Sequence, residues 1–279
     1  MRLDQLTKKY PIVASLTIFI IVTVLTEAPI QSIRNVLAPV TGRFYGDYLT
    51  DLILNALGTI CLLLAAAKVG LGGKLGLKRP RPWRSLLLTW PLVLLTLLFS
   101  SEVLFGDVGL VFDPILFVIL ACLYLAIGLL EEVLFRGYVQ GFLMRRWGHS
   151  YRGILLSVLV ACFIFCSAHL ANLVMGRSTL LHAATQVVYT FFFGVYFSAL
   201  YIRSGSLVPG IILHTVFNFA NNLDAFAPGA PPRSEIVRST TPEAALAGIL
   251  LTLPLLLCGL FYLRKSRVQL PAAGGPDCI

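Results

Sequence analysis

Charge is scarce in this chain. Of its 279 residues only 13% are charged and 57% are hydrophobic, which excludes an ordinary soluble domain, where about a quarter of residues are charged. Familiar catalytic signatures are missing too. There is no His-Glu-x-x-His, no Gly-x-Ser-x-Gly and no glycine-rich phosphate loop, so zincin, hydrolase-elbow and nucleotide-binding readings are disfavoured. No internal repeat is visible, which argues against an inverted-repeat transporter. No small-x-small cleavage site follows the apolar run from Pro11 to Leu25, and the expectation is an uncleaved first span despite Lys8 and Lys9 ahead of it. The terminal Asp277-Cys278-Ile279 lacks the cysteine four from the end that prenylation needs. The six cysteines show neither metal-ligand nor disulfide-framework spacing. Cys162 and Cys166, at i and i+4, share a helix face, but most of the six read as small apolar residues.

What the chain does have is long apolar runs. A hydrocarbon core of about 30 Å takes roughly 20 helical residues to cross. Eight segments approach that length, at about 11–27, 50–69, 85–105, 114–143, 152–171, 180–202, 206–222 and 244–263. The predicted fold is all-α: a single multi-pass domain over 1–279 with about eight transmembrane helices around a polar intramembrane cavity.

The net charge of +9 is gathered in short loops, a topology signal rather than a nucleic-acid surface. Lys68, Lys74, Lys78, Arg79, Arg81 and Arg84 separate the second and third segments, whereas Glu102, Asp107 and Asp113 separate the third and fourth. That alternation predicts eight spans with both termini cytoplasmic, and the expected location is a bacterial plasma membrane. The stretch from Pro228 to Pro242 reads as an external loop, and the tail at about 268–279 as disordered.

Against that apolar background stands Glu131-Glu132-x-x-x-Arg136, inside the fourth segment. A charge at mid-bilayer costs about 2.5–3.5 kcal/mol on insertion scales, so each such residue is a functional candidate. Glu132 and Arg136 are i, i+4 with the acid first, the favourable order for an ion pair. On an α-helix Glu131 points about 100° away, which leaves it outside that pair. Two close carboxylates at low dielectric suit general acid–base work. A purely structural clamp would explain Glu132 and Arg136 but not Glu131.

The fourth and fifth segments form a hairpin turning at Gly148-His149-Ser150. Glu131 lies nineteen residues before position 150 and His169 nineteen after it, so the two are expected at one depth. Phe165, one turn before His169, is on the same face. On the seventh segment His214 and Asn218 are again i, i+4; alone they would read as interhelical hydrogen bonding, and beside Glu131 and His169 as oxyanion or metal ligands. Gln186, Tyr189 and Thr190 could line the same cavity. His182 reads as interfacial and His149 as a turn residue.

Three motifs in order, Glu131-Glu132-x-x-x-Arg136, Phe165-x-x-x-His169 and His214-x-x-x-Asn218, resemble those of the CPBP family of intramembrane proteases, which includes the CAAX endopeptidases and the bacteriocin-processing and Abi proteins. The resemblance covers about residues 113–222. It implies an endopeptidase that cuts a membrane-associated peptide or protein with a water activated by Glu131. His169 would hold or protonate reacting groups, His214 and Asn218 would face the oxyanion, and Glu132, Arg136 and Phe165 would support them. It leaves the metal open: zinc on Glu131, His169 and His214 and a metal-free mechanism both fit, with the lack of a local His-x-x-x-His favouring the latter. Two other readings are a non-proteolytic scaffold or immunity-type regulator of a partner protein, and a proton-coupled transporter.

Overall fold

Apolar runs in lipid must satisfy every backbone N–H and C=O internally, and the helix does so within one segment. The computed structural model, which describes residues 3–68, 75–77, 87–106 and 109–264, is helical throughout, with no strand among those residues. The helices are α1 (Leu3–Lys9), α2 (Pro11–Glu27), α3 (Ile30–Thr41), α4 (Arg43–Lys68), α5 (Trp90–Phe105) and α6 (Pro114–Glu131). A π-helical segment, Glu132–Gln140, continues into α7 (Gly141–Trp147). Then come α8 (Tyr151–Ala168), α9 (Leu170–Val174), α10 (Leu180–Ser204), α11 (Val208–Ala220) and α12 (Pro242–Tyr262).

Each of the eight apolar segments is helical where the structure describes it, and among the described residues six helical stretches are long and apolar enough to cross a membrane. The other two are shorter helices. The stretch Val208–Ala220 has 13 residues, about 20 Å at 1.5 Å per residue. Gly205, in the left-handed region at φ +65°, ends α10 just before it, and Asn221 caps its other end. The other short apolar stretch is Trp90–Ser101. The first span also continues past Glu27 into α3, an amphipathic helix with no buried residue. The tail at 268–279 and the basic residues Lys74, Lys78, Arg79, Arg81 and Arg84 lie outside the described residues.

Local chemistry sets the helix ends. The Asp113 carboxylate accepts from the N–H groups of Ile115 and Leu116 at 2.8 and 3.0 Å, with Pro114 next, where a missing donor costs nothing. The Tyr45 hydroxyl donates to the same carboxylate and, with those two N–H groups, holds it below the usual carboxylate range. Ser150 caps α8 by accepting from Gly153 N–H at 3.1 Å, so the hairpin turns at 148–150.

The segment 228–241 is strapped down. Arg233 Nε lies 2.8 Å from Asp51 Oδ2 and its Nη1 donates to the Tyr124 hydroxyl at 3.2 Å. Ser234 N–H donates to Asp47 at 2.7 Å. Arg34 pairs with both Asp47 and Asp51, at 3.2 and 3.5 Å. Backbone bonds of 2.9 Å join Arg238 to Arg177 and Thr179. The strap therefore roofs one end of the helix bundle.

Glycines let α6, α8, α10 and α11 approach. A Cβ on Gly128 would stand 2.8 Å from Thr215 Oγ1, one on Gly210 would stand 2.9 Å from Glu132 Oε2, and one on Gly194 would stand 3.1 Å from Cys162 Sγ. Small residues at membrane helix crossings allow such contact. Gly210→Ala is therefore expected to lower stability. The overpacking cost of about 1–3 kcal/mol exceeds the helix-propensity gain of at most about 1 kcal/mol. Gly248→Ala, whose Cβ meets nothing within 4 Å, should be neutral or stabilising. Thermal unfolding of the two variants in detergent compares them directly.

Candidate active site

Three helical segments bring the polar residues together. Glu131 ends α6 and Glu132 opens the π-helical segment. Such segments are rare and gather at functional sites. Both carboxylates reach one imidazole: His214 Nε2 is 3.4 Å from Glu131 Oε2, and His214 Nδ1 is 3.2 Å from Glu132 Oε1. The sequence suggested a division, Glu132 toward Arg136 and Glu131 toward His169. In the structure His214 bridges the two acids.

Glu132 is shared. Its Oε1 lies 3.0 Å from Arg136 Nη1 as well as facing His214. Both members of this ion pair are 1% exposed. Nη1 has the carboxylate as an ionic neighbour but no aligned hydrogen-bond acceptor, while Nη2 donates to the Gly194 carbonyl at 3.5 Å. Two aromatic rings complete the seat of the guanidinium. Its Cζ lies 4.6 Å from the Phe165 centroid and 5.2 Å from that of Phe197, cation–π distances. Phe165 in turn meets His169 edge-on at 5.5 Å, and Phe197 stacks on His214 at 5.2 Å.

Glu131 differs from Glu132 in solvent access: 26% of its side chain is exposed, against 1%. It opens onto a cavity of about 610 Å3 that His169, His214 and Asn218 also line. His169 is the C-cap of α8, within electrostatic reach of Glu131 and His214. Asn218 sits one turn beyond His214 on α11. The weaker candidates Gln186, Tyr189 and Thr190 line the cavity as well, and so does His182, at the first turn of α10. Asn172 Nδ2 reaches Gln186 Oε1 at 3.5 Å, and Arg233, Ser234 and Ile236 of the strap line the same cavity. His149 stays in the turn.

Among the described residues no three His, Cys, Asp or Glu side chains are grouped to hold a metal ion. Each ring nitrogen of His214 already faces a carboxylate. Glu131, His169 and His214, the residues that would hold zinc, line one cavity. Cys162 and Cys166 are free, buried thiols; Cys162 Sγ sits 3.8 Å from Ser198 Oγ. Cys61 and Cys122 instead lie on the exposed outer faces of α4 and α6.

Residues 113–220 match the family model for type II CAAX prenyl endopeptidases, Rce1-like. All three motifs fall inside that stretch, and the resemblance read from them stands at family level. No curated protein and no solved structure matches the chain.

The sequence reading passed over Phe197, Gly194, Gly128 and Gly210. Two of them carried a signal. Gly128 precedes Glu132 by four and Gly210 precedes His214 by four, the spacing that puts a small residue on the functional face. Removing only one member of a buried ion pair strands the other, at about 3–5 kcal/mol. Arg136→Met should therefore destabilise the protein strongly, and Glu132→Gln added to it should restore much of the loss. Equilibrium unfolding of wild type, both single variants and the double variant in one detergent reads the coupling.

Proposed function

We propose that the protein is an intramembrane endopeptidase that hydrolyses a peptide bond of a membrane-associated peptide or protein, with a water activated by Glu131. The observation that carries this reading is the meeting of Glu131, His169, His214 and Asn218 around one cavity, joined to the family match over residues 113–220. The chain is an integral membrane protein with six helices of spanning length among the described residues. Its proposed topology adds the two shorter apolar helices to make eight and puts both termini in the cytoplasm.

In the proposed reaction Glu131, partly exposed in the cavity, takes a proton from water as the water oxygen attacks the substrate carbonyl carbon. The new C–O bond makes a tetrahedral oxyanion. The Asn218 carboxamide is the proposed donor to that oxyanion, and donors aimed where charge develops contribute most. Collapse breaks the C–N bond, and the proton held by Glu131 passes to the leaving amine. His169, at the same cavity, holds the water or the leaving nitrogen.

The contacts of His214 favour a different role from the oxyanion one suggested by sequence. With Nδ1 toward Glu132 and Nε2 toward Glu131, it orients the base. The buried Glu132–Arg136 pair holds Nδ1, so the order from Arg136 through Glu132 and His214 to Glu131 is one of positioning. No step here passes through a metal ion.

The test is cleavage by purified protein in proteoliposomes, read by mass spectrometry against a peptide library in prenylated and unmodified forms. Glu131→Gln is expected to lose about 10²–10⁴-fold in rate, the range general-base catalysis supplies. Asn218→Ala is expected to lose about 10²–10³-fold in kcat, as removal of one oxyanion donor does. Full activity in Glu131→Gln would sink the assignment, and a uniform preference for prenylated peptides would place the substrate among CAAX-type proteins.

A further inference from the structure

We infer that Phe197 is a positioning residue for this reaction: its ring face sets the plane of the His214 imidazole between the two glutamates and at the same time helps seat Arg136. The inference rests on the proposed role of Glu131 and extends it to a residue outside the three motifs.

Phe197 lies on α10 and is 1% exposed. Its ring is stacked on that of His214, 5.2 Å between centroids with 18° between planes. The Arg136 guanidinium carbon is 5.2 Å from the same ring centre. One ring thus touches both neighbours that share Glu132 Oε1, the arginine at 3.0 Å and the histidine at 3.2 Å.

An imidazole needs such a neighbour here. The χ2 torsion of histidine is broad and roughly two-fold. A half-turn about it would put carbon atoms where Nδ1 and Nε2 now face Glu132 and Glu131, and a smaller rotation would lift one nitrogen from its carboxylate. A parallel ring beside the imidazole narrows that torsion without competing for either nitrogen. A hydroxyl or amide in the same place would form hydrogen bonds of its own. An aliphatic side chain would fill the volume but offer no flat face.

The backbone of α10 supports the same arrangement. Gly194, three residues before Phe197, gives its carbonyl to Arg136 Nη2. A Cβ there would stand 3.3 Å from Phe165 Cδ1, the other ring on the guanidinium. Arg136 is accordingly seated between contacts from α8 and α10, with a histidine of the cavity against each ring.

The test compares Phe197→Leu, which keeps apolar bulk, with Phe197→Tyr, which keeps the ring face. Two readings are taken on full-length protein in nanodiscs: kinetics on a peptide that the wild type cleaves, and NMR titration of the four histidines. Phe197→Leu is expected to lose roughly tenfold in kcat with KM little changed, the size of effect an aromatic pair carries. Its pH–rate profile should shift, and so should the titration of His214, while His149 and His182 titrate as in wild type. Phe197→Tyr should return both towards wild type. A Phe197→Leu protein with a lower melting temperature but wild-type kcat, pH profile and His214 titration would overturn the inference. If Glu131→Gln cleaves as well as wild type, the protease reading fails instead, and the His214 titration still decides whether Phe197 orients that ring.

Discussion

A carboxylate and a guanidinium buried together between apolar helices are the constraint on which the rest of this structure depends. Glu132 and Arg136 are almost without solvent, and an isolated charge there would be costly enough to oppose insertion. Each therefore collects partners from other helices. Glu132 draws in His214 from α11, and Arg136 draws in the rings of Phe165 and Phe197 and the carbonyl of Gly194. Three glycines make the approach possible by leaving no Cβ where the partners must pass. The geometry around the cavity follows from satisfying one ion pair.

That arrangement separates two adjacent acids by environment rather than by sequence. Glu132 is enclosed and shared between two partners, Arg136 and His214. Glu131, one residue earlier, faces the cavity with part of its side chain exposed and meets His214 from the other side. A single imidazole, that of His214, touches both. The strap, held by Arg233 and Ser234 to Asp51, Tyr124 and Asp47, lines the same cavity.

Much of this was legible in the residues. Apolar run length carried the all-helical membrane fold, and scarcity made the signal of the site clear: a charge inside such a run is expensive, so each one pointed to function. The spacings Glu131–Arg136, Phe165–His169 and His214–Asn218 sufficed to bring those residues to one place. What escaped has physical reasons. Glu131 meets His214 as well as the cavity, a contact made by a residue of another helix that no side-chain pattern within α6 announces. Phe197 is one of 18 phenylalanines, and only its partner across the helix interface distinguishes it. Run length alone does not register that Gly205 and Asn221 leave only Val208–Ala220 helical between them. Gly128 and Gly210 could have been found, each four residues before a side chain of the candidate site.

The central claim is that the Glu131 carboxylate drives cleavage of peptide bonds in the membrane. The most direct measurement is comparative mapping of new peptide termini in membranes from cells carrying the wild-type protein or Glu131→Gln at equal abundance. The account predicts a set of membrane-associated peptides whose new termini are present with wild type and whose uncleaved precursors accumulate with the variant. Identical termini and precursor levels in the two membranes would contradict it.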